Sequence, residues 1–281
     1  ISGNTLEGDI FYVKNKINYI ESAKIENTST TIKDFFQNNS VETKVMNSYY
    51  GSDVNTPINL KNEKTIFSDE STIETAYQYA YEKGNQKLID ANMVGIPLDT
   101  EVKKDGKTIS KAETKYDNPV NLLPSSVLSY NMQSNTPSTE VTYDIYDGKR
   151  NLIQYTTKAG VSTSIIWGYN QTQPIAKIEG AKLSDITQTL INSIVNASDD
   201  TNANYSESTL LNQLDAFRIA LPNFQISTYT YKPLIGVTTI TPPSGIREYY
   251  FYDTANRLES VKTNENGVLT TLKEYQYHYK P

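Results

Sequence analysis

The sequence predicts a mainly β protein of repeated antiparallel β-hairpins, with one α-helical hairpin inserted at residues 182–222. Three observations lead there. Tyrosines recur in pairs at alternate positions: Tyr229 and Tyr231, Tyr250 and Tyr252, Tyr275 and Tyr277. A strand has period two, so each pair puts both rings on one face. Tyr231 and Tyr252 lie 21 residues apart, Tyr252 and Tyr275 lie 23 apart, and Gly245 and Gly267 fall late in each unit. A recurring unit of that length is the mark of repeat architecture. Between two such regions, Leu183, Ile186, Leu190 and Ile194, then Leu210, Leu214, Phe217 and Leu221, fall at helical spacing.

Residues 1–75 read as an antiparallel meander. Ile10–Val13 and Ile17–Ile20 are short β-prone runs, and Thr30–Phe36 leads through the turn cluster Gln37-Asn38-Asn39-Ser40 into Val41–Tyr50. Residues 76–181 read as a first block of β repeats. It holds the alternating Tyr77, Tyr79 and Tyr81, the apolar run Met93–Leu98, and Asp105-Gly106, a strong two-residue hairpin signal between Thr100–Lys104 and Lys107–Ser110. Asn121–Asp147 echoes Asn59–Tyr81: Asn-Leu opens both, Glu74 matches Glu140, and Tyr77 matches Tyr143. A further unit carries Tyr143, Tyr146-Asp147, Leu152, Gly160, Trp167 and Tyr169, with Gly160 14 residues after Tyr146, as Gly245 is 14 after Tyr231. Residues 182–222 are the helical hairpin, widened by Ile191 and Val195, bridged by the polar loop Asn196–Tyr205 and ended by Pro222. Residues 223–281 return to β repeats.

Composition narrows the function. At 281 residues the chain can bury a substantial core. Its apolar fraction is only 37%, and 22 tyrosines supply much of it, which suits thin, partly wet sheets. A net charge of −6 with interspersed signs argues against nucleic acid and anionic membranes as partners. No run of 18 apolar residues occurs, so no membrane-spanning helix is expected. With no cysteine, disulfides, thiolate metal sites and cysteine nucleophiles are excluded. That suits an extracytoplasmic bacterial protein with no need of oxidative folding. The chain begins at Ile1 with neither an initiator Met nor a charged leader, and reads as a fragment or processed piece.

Tyr250-Phe251-Tyr252-Asp253-Thr254-Ala255-Asn256-Arg257-Leu258 resembles the Y-x-Y-D-x-x-G-R-L core of the YD-repeat, or RHS-repeat, family at all but the glycine. Lys87–Leu98, Ile165–Ala181 and Thr228–Ile240 carry the same likeness, and the chain resembles the large YD-repeat proteins of Bacteroidetes-type bacteria. In the motif, the Asp ends a strand and accepts backbone N–H groups two residues on. The glycine supplies positive φ, and Asn256 is the next best residue for that. In the earlier unit Arg150 stands at this place with Gly148 nearby, so a shifted turn is expected there. Lys232-Pro233 after Tyr231 points to a different turn.

The resemblance implies a β-sheet ribbon or shell, secreted or at the bacterial surface, as part of a longer polypeptide that can enclose a C-terminal toxin domain. Some members carry a self-cleaving aspartate. Here the usual Asp-Pro before a repeat glycine is Pro242-Pro243-Ser244-Gly245, so no aspartate carries over. Tyr143, Tyr146, Asp147, Gly160, Trp167, Tyr229, Tyr231, Gly245, Tyr250, Tyr252, Asp253, Arg257, Gly267, Tyr275 and Tyr277 are expected to be structural members of the repeat.

Little else points to chemistry. His278, the lone histidine, alternates out of phase with its tyrosine neighbours and reads as a solvated strand residue. Asp200-x-Asn202-x-Asn204 opens like a calcium loop, but Tyr205 and Leu211 stand where glycine and glutamate belong, so it reads as a helix–helix loop. Asp144 and Asp147 read as turn formers. No nucleotide loop or nucleophile elbow occurs. No catalytic residue, metal ligand or cofactor is expected. Trp167 and Tyr169 form the one candidate ligand platform, for sugars or a protein partner. Cross-strand stacking of the tyrosines is the competing account, because it predicts their register with the repeat.

Overall fold

The computed structural model describes residues 28–36, 39–51, 58–200, 206–265 and 267–277. Ile10–Val13, Ile17–Ile20, His278 and the Asn202–Tyr205 part of the interhelical loop lie outside the described residues, as do Gln37 and Asn38 of the first turn. The strands are β1 (Ser29–Phe36), β2 (Asn39–Tyr49), β3 (Leu60–Ile66), β4 (Thr72–Gln78), β5 (Asp99–Lys104), β6 (Lys107–Lys115), β7 (Ser126–Tyr130) and β8 (Pro137–Tyr146). They continue as β9 (Leu152–Thr157), β10 (Ser162–Gly168), β11 (Gln173–Glu179), β12 (Gln225–Lys232), β13 (Gly236–Thr241), β14 (Glu248–Tyr252), β15 (Leu258–Glu265) and β16 (Val268–Glu274). Helices are α1 (Gln86–Asp90), α2 (Gln188–Asp199) and α3 (Glu207–Ala220).

All 16 strands form one sheet in sequence order, each pairing antiparallel with its neighbours. The predicted fold class is what the chain adopts. The described strands of the three β segments join in this one sheet, and the helical insertion returns β12 to the side of β11. In such a meander every even-to-odd connection lies on one rim and every odd-to-even connection on the other. The first, where the Tyr-Asp turns fall, is here the tyrosine rim; the second is the hairpin rim. On the hairpin rim Asp105 and Gly106 have φ of 49° and 78°, the paired left-handed conformation of a two-residue hairpin. Gly160, Gly245 and Gly267 sit on the same rim at φ 78°, 84° and 86°.

The main core lies where the helices cover one sheet face. Ile166, Ile175, Ala176, Ile178 and Ile226 pack beneath Ile186, Ile194, Leu210, Leu214 and Phe217. Along β12 burial alternates: Ile226, Thr228 and Thr230 face the helices, while Tyr229 and Tyr231 take the opposite face. The predicted stripe is therefore correct in composition but too long as a helix. Leu183 falls in a 3-10 turn and Ile186 in extended backbone, and α2 begins only at Gln188. Asp185 accepts the Lys182 backbone N–H at 2.8 Å, closing a local turn that competes with helix. Ser206 caps α3, and Pro222 follows its end.

Helix α2 crosses the face to the tyrosine rim, where Ser198 Oγ accepts the Tyr169 N–H at 3.2 Å and Asp199 accepts the Asn170 N–H at 2.7 Å. A Cβ on Gly168 would stand 2.1 Å from Ser198 Oγ, so only glycine lets helix and strand approach this closely.

Helix α1 was not foreseen. Its single turn is capped by Asn85, and with Ala80 and Leu98 it buries Leu88 in a small second core. The apolar run Met93–Leu98 is the connection that packs Met93 and Ile96 on that core. The Lys87 ammonium donates to the carbonyls of Tyr116, Asn118 and Asn121 at 2.8, 2.6 and 2.9 Å, tying α1 to the β6–β7 connection.

Candidate functional site

The Tyr-Asp turns show how the rim is built. Asp253 Oδ1 accepts the N–H groups of Ala255 and Arg257 at 2.8 and 2.9 Å, while Oδ2 accepts Arg257 Nε at 2.8 Å. Asp147 repeats this: Oδ1 accepts Lys149 and Asn151 N–H at 2.9 and 2.8 Å, and Oδ2 accepts Asn151 Nδ2 at 3.0 Å. The backbone bonds match too, with N–H of the Asp to the carbonyl four residues on and N–H of the third residue back to the Asp carbonyl. This is a type I turn followed by one left-handed residue. That residue is Asn256 at φ 60° and Arg150 at φ 71°. The expected shift at Arg150 does not occur. The aspartate's bonds hold the geometry, and the arginine takes the left-handed conformation instead.

A bulge follows each of these turns. Register shifts place one unpaired residue second or third in five odd strands: Lys61 in β3, Ile153 in β9, Ile175 in β11, Thr238 in β13 and Glu259 in β15. The carbonyl just before each bulge accepts a hydrogen bond from an aromatic ending the next even strand or just beyond it. Tyr79 donates to Leu60 at 2.8 Å, Trp167 to Leu152 at 2.9 Å, Tyr231 to Pro174 at 3.0 Å, Tyr252 to Val237 at 2.9 Å and Tyr277 to Leu258 at 2.8 Å. A bulge disrupts the ladder locally, and the aromatic clamp closes the rim end of each strand pair at that point. Tyr146 makes the related bond to Pro124 at 2.8 Å. Burial pushes the Tyr146 and Tyr231 hydroxyls up to about 12, so both stay neutral donors.

Motif residues thus serve one another across units. Leu258 ends one motif and receives Tyr277 of the next, while Arg257 binds Asp253 at 2.7 Å and lies 4.4 Å from the Tyr277 ring centre.

The remaining predicted residues are placed as follows. Tyr143 stands directly across from Tyr155, and Tyr229 is half-buried across from Ile240. Tyr250 donates to Glu248 at 2.7 Å, and the Tyr275 N–H donates to the Glu259 carbonyl at 2.9 Å. Edge-to-face ring pairs join Tyr50 to Tyr79 and Tyr169 to Tyr231, at 6.2 and 5.7 Å. Ring stacking is thus the lesser use of these aromatics; the recurrent one is donation to the backbone. Trp167 and Tyr169 have separate tasks, since Trp167 clamps Leu152 while Tyr169 packs on the helical core and accepts the Tyr231 N–H at 2.9 Å.

Two features were missed. A buried charge cluster joins β5, β6 and β7: Lys83 reaches Glu113 at 2.8 Å and Asp99 at 3.5 Å, Lys115 reaches Glu113 at 3.0 Å, and Tyr130 donates to Glu113 at 2.6 Å. Asp99 and Glu113 are each 5% exposed and directly paired across strands. Burial would raise the Glu113 carboxyl, but hydrogen bonds from Lys83, Tyr130 and Lys115 outweigh it and hold it at about 2. An acid so strong is a poor proton carrier at neutral pH. Asp99 and Glu113 lie outside the β runs Thr100–Lys104 and Lys107–Ser110 read from the sequence, so neither their place in the strands nor their facing register was legible. The second feature is a cavity of about 500 Å³ on the tyrosine rim, between the β10–β11 and β12–β13 turns. Among the described residues no cluster of acidic or histidine side chains could hold a metal, and no helix is long and apolar enough to cross a membrane.

No protein-family model and no curated protein matches this sequence. Among solved structures, the crystal structure of TcdB2-TccC3 without its hypervariable C-terminal region is similar over 84% of this chain and 12% of that chain, at 12% identity and a TM-score of 0.37. The Photorhabdus luminescens Tc holotoxin pore matches over the same shares at 12% identity and a TM-score of 0.34. A porin-like protein from Bacteroides uniformis matches over 87% of this chain and 93% of its own, at 10% identity and a TM-score of 0.24. This chain therefore spans 12% of the toxin-complex chains. At scores this low no role passes from those chains to this one.

Proposed function

We propose that this chain is a non-catalytic structural segment of a secreted or surface-displayed YD-repeat protein, forming part of the β-sheet wall of a shell or fibre. In the shell form the wall encloses a C-terminal toxin domain of the same polypeptide. The observation that carries this reading is the bulge-and-clamp unit, repeated at five strand pairs along one rim of a single sheet. Such a unit ties each bulged strand to the strand that follows it and needs no ligand. The exposed edge fits as well: β16 is exposed along its length, with Val268, Leu269 and Leu272 66%, 47% and 49% exposed, a strand edge that further repeats would cover.

A sugar- or protein-binding role for the tyrosines as a class is less well supported, because the hydroxyls of Tyr79, Tyr231, Tyr252 and Tyr277 are spent on backbone carbonyls. The test is the intact mass and terminal sequences of the native polypeptide from its source. The expected product is far larger than 31.6 kDa, with YD units flanking this segment. A native product of this size would overturn the wall reading.

A further inference from the structure

We infer that the cavity on the tyrosine rim is a binding site for a small amphipathic carboxylate. The inference goes beyond the wall reading, which requires no ligand. At about 500 Å³ the cavity has the size of small-molecule sites, which combine apolar walls with a few polar groups. Its walls are apolar: the Tyr231 ring, Pro233, Ile235 and Val237. Both rim tyrosines have committed hydroxyls, Tyr231 donating to Pro174 and Tyr169 accepting the Tyr231 N–H. The walls therefore offer rings and methyl groups to an apolar guest body. Charge sits at the mouth. Lys232 lines the cavity and is exposed, and among the described residues it has no acidic partner. A cation beside an apolar hole complements a guest that is apolar at one end and anionic at the other.

The backbone agrees. Leu234 holds φ 65° and is fully exposed while lining the cavity. A left-handed conformation is unfavourable for a branched residue, and with no packing inside the chain nothing in the fold accounts for leucine there. On the facing turn Tyr169, Asn170 and Gln171 are left-handed in succession, at φ 52°, 57° and 62°. Among the described residues, four of the ten non-glycine residues with positive φ thus belong to the two turns that form this cavity, and such conformations gather at ligand clamps.

The test is isothermal titration of the 281-residue chain with 4-phenylbutyrate, and with its neutral counterpart 4-phenylbutanol. The expected result is saturable one-to-one binding of the carboxylate, with the alcohol about tenfold weaker, the scale of one charge-assisted contact. Lys232→Gln should lower carboxylate affinity to that of the alcohol. Leu234→Asn, at an exposed position that asparagine accepts in the left-handed region, should weaken both probes without lowering the melting temperature. Absence of saturable binding up to about 10 mM, equal binding of the two probes, or binding unchanged in both variants would overturn the inference. None of these outcomes bears on the mass of the native polypeptide, so the site and the wall reading fail separately.

Discussion

Arg150 holds φ 71° in the turn after Tyr146-Asp147, where a side chain is strained and glycine is not. Arg150→Gly should therefore stabilise the chain by about 1 kcal/mol, read as a higher urea midpoint with an unchanged slope; a lower midpoint would mean the arginine side chain holds the turn. The clamps act at the same scale. Tyr252→Phe removes the 2.9 Å bond to Val237 and should cost about 1 kcal/mol. A Cβ on Gly236 would lie 2.3 Å from the Tyr252 hydroxyl, so Gly236→Ala should already dislodge the clamp. In a double-mutant cycle Tyr252→Phe should then cost clearly less in the Gly236→Ala background. Equal costs in both backgrounds would show that the hydroxyl contributes nothing there. The sequence made the Tyr-Asp turn legible because an Asp at a strand end accepts N–H groups two residues on; the second bond, four residues on, came only with the structure. The clamp was not legible, since the tyrosine and its carbonyl lie 15 residues apart for Tyr252 and 57 apart for Tyr231. A repeat of aromatics predicts rings in register and says nothing of where their hydroxyls go.

Among the elements, the helical hairpin and the β5–β6 hairpin make opposite demands. Leu214 is 1% exposed beneath α3, so Leu214→Ala should cost about 2–5 kcal/mol; Leu190 is only half-buried and should cost less. A Leu214→Ala loss below about 1 kcal/mol would mean that α3 is not docked on β12. The stripe of apolar residues was legible because helix periodicity is a local signal. Its first turn was misread because Asp185 turns back on Lys182, which periodicity ignores. In the charge cluster Glu113 titrates near 2 rather than its ordinary 4.5. Its folded pKa is depressed, so its stabilisation is complete above about 4.5 and disappears as pH falls through 2. Glu113→Gln should cost about 3 kcal/mol at neutral pH, because Lys83 loses a buried partner. It should also flatten the acid limb of the stability curve. An acid limb identical in wild type and variant would assign acid unfolding to other carboxylates.

At the scale of the molecule, the 16 strands make one ribbon because every connection is between sequence neighbours. Alternation, turn residues and the spacing of the tyrosines were enough to foresee repeated antiparallel hairpins and the place of the helical insertion, while the continuous ribbon was implied by the YD-repeat resemblance. Helix α1 escaped notice because a five-residue helix is too short for periodicity to show. The rim cavity escaped because two turns far apart in sequence form it. The wall reading depends on the ribbon continuing past β16, whose outer edge has no hydrogen-bonded strand neighbour among the described residues. Hydrogen exchange of the β16 amides, compared between the 281-residue chain and the native polypeptide, tests this most directly. A wall predicts fast exchange at the outward-facing amides of Val268–Glu274 in the isolated chain and strong protection of the same amides in the native polypeptide. Equal exchange in both would mean that no further strand covers this edge, and would contradict the proposal that the segment is part of a continuing sheet.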